Sequence, residues 1–287
     1  VADRSGRNRA RRELEWLRMN PKARTTKNKS RLKNYDKMLV QEVEERDDTV
    51  ELHIPAGKRL GDTVIRFEKV TKTYPGQGHS ALDQLTLEIE KGEFVLLMGP
   101  SGAGKSTLLK LLIGAERPEE GQILVQGRSL SKLRSSEIPL LRRKIGVVLQ
   151  DFRLLPKKTV FDNVSLPLLV QGASTVEIRR KVTDALRSVG LDHKKDLFPP
   201  GLSTGEQQRI CIARAIVNGP IMLLADEPTG NLDPELTSEI IELFKSINAR
   251  GTTIIVATHD PNVLAQVNRR VITLEQGKVV SQEQVCS

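Results

Sequence analysis

Cysteine is almost absent: Cys211 and Cys286 are the only two in 287 residues. They lie far apart and offer neither a disulfide framework nor a metal-ligand spacing, so a reducing compartment, by default the cytosol, is expected. Long apolar runs are missing as well. No stretch approaches the roughly 18 residues that argue for a membrane span, so a membrane role is expected to be peripheral. No charged n-region, apolar h-region and cleavage site open the chain. Val rather than Met stands at position 1, which suggests that residue 1 is not a natural start. Internal repeats and low-complexity segments are also absent.

What is present is a globular composition with an uneven charge. Hydrophobic residues make up 38% of the chain, enough for a sizeable core in one large or two ordinary domains. Of the net charge of +9, +6 falls in residues 1–60, which hold sixteen Lys/Arg against ten Asp/Glu. The dense patches are "RSGRNRARR" and "KARTTKNKSRLK". They suit phosphate backbones or anionic lipid, or else a solvated helical face. Over residues 7–48, Leu32, Tyr35, Leu39 and Val43 recur at helical spacing, with a break at Asn20-Pro21. Two helices with thin apolar stripes follow, an arm rather than a domain with its own core. "IPAGKRLGD" then marks a boundary.

From Val64 the texture changes. "FVLLMG", "IGVVLQ", "IMLLAD" and "TTIIVATH" are continuous apolar runs, as parallel strands covered on both faces require. Between them "STLLKLLIGA", "STVEIRRKVTDALRSVG" and "PELTSEIIELFKSINA" read as helices. The fold class is α/β with a mainly parallel sheet.

Two motifs carry chemistry. "GPSGAGKST", comprising Gly99, Pro100, Ser101, Gly102, Ala103, Gly104, Lys105, Ser106 and Thr107, fits G-x-x-x-x-G-K-[ST] between a strand and a helix. Its glycines let backbone N–H groups face phosphate oxygens at a helix N-terminus. Lys105 would reach the β/γ-phosphates, and the Ser106 hydroxyl would face Mg²⁺. "IMLLADEPTGNLD" ends a strand in Asp226, suited to holding hydrated Mg²⁺, and Glu227, suited to polarising an attacking water. Together they predict a P-loop NTPase that uses Mg²⁺; the family resemblance below implies that its nucleotide is ATP.

Further motifs resemble the ATP-binding cassette (ABC) family. "LSTGEQQR" is similar to its LSGGQ signature, Gln150 in "GVVLQD" to its Q-loop, "GNLD" ending in Asp233 to its D-loop, and His259 in "ATHD" to its H-loop. Tyr74 in "KTYPG" stands where the family stacks an aromatic ring on adenine. The resemblance implies a parallel-sheet core with an antiparallel β subdomain and a helical subdomain. It also implies a homodimer in the ATP-bound state, with Ser203 and Gly205 of one copy completing the phosphate site of the other. Gln150 would join Ser106 and Asp226 at the metal, while Glu227 and His259 would be the catalytic pair for hydrolysis to ADP and phosphate. One departure is Thr204, which replaces the first glycine of the signature pair. It would weaken dimer closure if that position needs a positive φ, and would be harmless if φ is negative.

Within the family, residues 64–280 resemble the FtsE branch of cell-division ATPases, on "IRFEKVTKTYPG", "LRRKIGVVLQDFRLLPKKTVFDNVSLPL" and "LLADEPTGNLD". That resemblance implies a peripheral location on the cytoplasmic face of the bacterial inner membrane and an integral membrane subunit of the FtsX type. Leu154, Leu155, Val160 and Phe161 would form the groove that receives its coupling helix. Lipoprotein-release and macrolide-export ATPases are alternatives. Residues 1–63 instead resemble the basic interdomain arm of ABC-F translation factors of the EttA type, which implies contact with ribosomal or transfer RNA through that arm only. The expected organisation is therefore an arm over 1–63, a cassette over 64–281 and a tail over 282–287. "GDTVIRFEKV" reads as a seam, with a natural basic extension as the alternative.

Overall fold

The computed structural model describes residues 63–76 and 79–284, all within the unit Lys58–Ser287. The helices expected over residues 7–48 lie outside the described residues. Strands β1 (Thr63–Lys72), β2 (Leu82–Glu90), β4 (Glu120–Val125) and β5 (Arg128–Ser129) form an antiparallel sheet in the order β2-β1-β4-β5. The second sheet contains β3 (Phe94–Met98), β6 (Ile145–Val148), β7 (Met222–Asp226), β8 (Thr253–Thr258), β9 (Arg270–Glu275) and β10 (Lys278–Gln284). Its order is β10-β9-β3-β8-β7-β6, parallel from β9 to β6, with only the β10–β9 pair antiparallel. Pairing of β10 with β9 continues to Gln284↔Arg270, past the boundary at 281 expected from sequence.

The apolar strands are continuous because both faces of the large sheet are covered. On β3, Phe94 and Leu96 join one core while Val95 and Leu97 join the other. The same alternation puts Leu223 and Ala225 of β7 on the first side and Met222 and Leu224 on the second. Helix α1 (Lys105–Leu112) and the antiparallel sheet cover the second side. The next helix, α2 (Ile138–Arg142), is short and leads into β6. The first side is covered by α3 (Val160–Gln171), α4 (Thr175–Ser188), α5 (Thr204–Ile216) and α6 (Pro234–Asn248). A last short helix, α7 (Pro261–Gln266), follows β8.

Several of the longer helices start at side-chain caps. Thr159 and Ser203 form capping boxes with Asp162 and Glu206, and Asp233 accepts from Leu236 N at the start of α6. The Thr159 cap corrects one expectation. It starts α3 with Val160 turned inward, fully buried in the core, so Val160 lines no groove. Phe161 and Leu154 are half-buried against the same core, and Leu155 alone of the four is exposed, at 42%. An apolar groove of about 450 Å³ lies instead between β6 and α3, lined by Val147, Leu166, Pro167 and Val170 with Arg142 and Arg143.

Candidate functional site

The site begins where β3 ends. Residues 99–104 turn back and hand the chain to α1 at Lys105. Glycine is required at Gly104: its φ is 106°, and a Cβ would fall 2.4 Å from the Ala81 carbonyl oxygen. Lys105 is buried at 7% exposure, and its Nζ donates to the carbonyls of Gly99 at 2.7 Å and Pro100 at 3.1 Å. The same ammonium is 3.9 Å from Glu227 Oε1. The Lys105 side chain is therefore folded back over its own loop, with its charge between two carbonyls and a carboxylate.

Two acids close the opposite wall. Asp226 ends β7, and its carboxyl is held above the usual Asp range, mainly by burial and, secondarily, by the neighbouring Glu227 charge, against a hydrogen bond from Ser106. Asp226 Oδ1 is buried and has no hydrogen-bond partner among the described residues. Glu227 has φ 46°, a left-handed backbone uncommon for a residue with a side chain, and its N–H is anchored to the Ala257 carbonyl at 2.8 Å. Its Oε1 lies 2.7 Å from His259 Nδ1, and its Oε2 accepts from Thr258 Oγ1 at 3.2 Å. The end of β8 therefore holds the carboxylate that β7 presents.

These groups share one cavity of about 580 Å³. It is lined by Tyr74, all residues from Ser101 to Thr107, Gln150, Asp226, Glu227 and His259. Gly99 and Pro100 do not line it and act through their carbonyls on Lys105. His79, Ala81 and Lys110 also line it and were missed from sequence. Lys110 was findable, since it follows Ser106 by one helical turn on the same face; His79 carried no local signal. The Tyr74 hydroxyl is buried without a partner among the described residues, and Lys72 Nζ sits 5.2 Å from the ring centroid. A larger open depression of about 860 Å³ on the antiparallel sheet, bordered by Glu68, Gln84 and Glu120, contains none of the motif residues.

Ser203 and Gly205 stand apart from this cavity, at the start of α5. Ser203 Oγ accepts from Glu206 N at 3.3 Å, Ser203 N donates to Glu206 Oε2 at 3.0 Å, and Lys194 pairs with the other carboxylate oxygen. The Ser203 O–H is thus left to donate elsewhere. Thr204 is the first residue of α5 and is not among the residues with positive φ, so the signature makes no left-handed demand on it. Gly205 is buried, and a Cβ there would meet Leu236 Cδ2 at 2.9 Å.

Residues 82–230 match the family described as ABC transporter. The chain belongs to the ABC transporter family. This cassette is FtsE-like: it is 49% identical over 221 residues to the cell division ATP-binding protein FtsE of Mycobacterium tuberculosis, covering 77% of this chain and 96% of that protein. Identity to FtsE of Escherichia coli K12 is 51% over 214 residues, covering 75% and 96%. Among solved structures, the ATP-binding cassette MJ0796 in a dimeric post-hydrolysis state bound to ADP and Pi is similar, with TM-score 0.70, 37% identity and coverage of 78% and 99%. The cbiO1 protein of Clostridium perfringens, part of an ABC transporter complex, is similar with TM-score 0.73, 32% identity and coverage of 78% and 89%. The cassette binds nucleotide and is an ABC ATPase, converting ATP and water to ADP and phosphate.

Proposed function

We propose that the cassette pairs head to tail with a second copy when ATP is bound, hydrolyses ATP at the interface and drives an integral membrane subunit of the FtsX type in cell division. On this reading it sits peripherally on the cytoplasmic face of the bacterial inner membrane. The observation that carries the reading is a phosphate loop, an acid pair and His259 converging on one cavity in a chain 51% identical to a cell division ATP-binding protein.

Residues 99–107 would wrap the phosphates, with Lys105 exchanging the Gly99 and Pro100 carbonyls for phosphate oxygens, and Tyr74 would stack on adenine. Ser106, Asp226 and Gln150 are hard oxygen donors, and the unpartnered buried Oδ1 of Asp226 fits a divalent cation. Mg²⁺ bound there would neutralise charge on the transferring phosphoryl group. Glu227 would orient the attacking water and take its proton, and His259, 2.7 Å away, would hold that carboxylate in place. Ser203 and Gly205 do not line their own cavity, and on this reading they would supply a hydroxyl and a backbone N–H to the γ-phosphate of the second copy.

The membrane subunit would dock a short helix in the groove between β6 and α3, whose arginines favour an acidic partner. Residues 1–63 are read as an appended basic arm joined at a seam near residue 64. Any contact with ribosomal or transfer RNA would run through that arm alone. The test is co-purification from bacterial lysate with a Glu227→Gln variant held with ATP. Recovery of an integral membrane subunit, retained after deletion of residues 1–63, is expected. ATP-dependent enrichment on ribosomes, lost with the same deletion, would overturn the reading in favour of an ABC-F-like factor.

A further inference from the structure

Helix α5 begins at the Ser203 cap and, near its other end, holds a second loop. Arg214 lies roughly 15 Å along the helix from that cap. A basic residue in the last turn of a helix commonly serves the carbonyls of its own helix end. Arg214 instead donates from Nη1 to the Arg153 carbonyl at 2.8 Å and from Nη2 to the Phe152 carbonyl at 2.7 Å. Cys211, one turn earlier, directs its Sγ to the same Phe152 carbonyl at 3.1 Å. One helix therefore holds two consecutive carbonyls of the loop that begins at Gln150.

The clamped loop has an unfavourable backbone. Arg153 has φ 45°, and a left-handed backbone is unfavourable for a residue with a Cβ unless its surroundings hold it there. Arg214 and Cys211 supply that hold, with Phe152 and Leu154 packed on the core beside them. Gln150, two residues before the clamp, lines the nucleotide cavity, whereas Arg214 does not. Arg214 lines instead the groove between β6 and α3, and its Nη1 and Nη2 both donate to the loop carbonyls.

We propose that Arg214 is a positioning residue for Gln150: it fastens residues 152–153 to the helix capped by Ser203, so that Ser203 and Gln150 move as one body. When Ser203 engages nucleotide in a second copy, Gln150 is carried with it in its own cavity, which ties the two sites of a dimer together. This rests on the reading above that Gln150 and Ser203 both face nucleotide.

The direct test is amide hydrogen exchange across residues 151–155 of the full chain without nucleotide. In Arg214→Met, exchange there should rise about tenfold or more, since two charge-assisted bonds are lost. Arg214→Lys, which keeps the charge but only one donor nitrogen, should fall between. The second readout is the Mg²⁺ concentration for half-maximal ATPase rate. Arg214→Met should raise it as Gln150→Ala does, and the double variant should be no worse than Gln150→Ala alone. Unchanged exchange at 151–155 in a folded variant, or multiplying effects of the two substitutions, would overturn the proposal. If Arg214→Met does not fold, exchange in Arg214→Lys decides in the same way. If Gln150→Ala leaves the Mg²⁺ dependence unmoved, the role of Gln150 fails, and exchange alone then judges the clamp.

Discussion

His259 Nδ1 stands 2.7 Å from Oε1 of Glu227, and that carboxylate hangs from a left-handed backbone with φ 46°. Two strands meet in this contact, since Glu227 follows β7 and His259 follows β8. Glu227→Gln should lower kcat by about 10²- to 10⁴-fold with ATP binding retained, because a base is lost and the shape is kept. Steady-state ATPase assays alongside nucleotide binding check this. Glu227→Gly should be more stable than Glu227→Ala by about 1 kcal/mol, since only glycine takes this φ without cost. Equal melting temperatures for those two variants would remove the argument for strain.

Asp226 bears on stability and activity with opposite signs. Burial raises its folded carboxyl above the unfolded value, so the folded state binds the proton more tightly. Stability from this group is therefore greatest at low pH and falls as pH rises from the ordinary Asp value through the raised folded one. Asp226→Asn should raise the melting temperature of the nucleotide-free protein at pH 7, by about 2–4 °C if the gain is about 1 kcal/mol. The same variant should lose the stabilisation that Mg²⁺ with ATP provides. Calorimetry with and without Mg²⁺ and ATP measures both effects.

Thr204 is an exposed first-turn helical residue, and its replacement of glycine needs no backbone compensation. Thr204→Gly should change the ATPase rate by less than about twofold and cost up to about 1 kcal/mol of stability, as glycine does within a helix. A tenfold gain in rate would show that the side chain obstructs closure after all.

Burial pushes the Cys211 thiol up to about 11, with the nearby Arg214 charge opposing only in part. In a Cys286→Ser background the folded protein should therefore resist iodoacetamide at pH 8, and labelling should track unfolding in denaturant. Rapid labelling without denaturant would contradict the packing of α5 on the loop after Gln150.

Much of the candidate site was legible in the chain because the residues that line its cavity are concentrated in contiguous segments. Residues 99–107 make their own turn and helix start, and Asp226–Glu227 end a strand whose apolar run announces itself. The misreading of Val160 has an equally plain cause. An apolar residue after a Q-loop can face either way, and the Thr159 cap together with buried Asn163, bonded to the carbonyls of Leu155, Lys158 and Thr159, sets which. His79 joins the cavity across 26 residues of chain from Lys105 without any local pattern to mark it.

The sequence by itself determined the layered α/β class, the loop and helix start over residues 99–107, the acid pair at 226–227 and the family, because strand burial, helix starts and backbone turns depend on near neighbours. Only the tertiary structure decided that Thr204 keeps a helical backbone, that Glu227 is held by His259 across 32 residues, and that α5 clamps the loop after Gln150. Those outcomes turn on contacts between distant segments, whose geometry is set by how the sheet and helices pack rather than by any local pattern of residues.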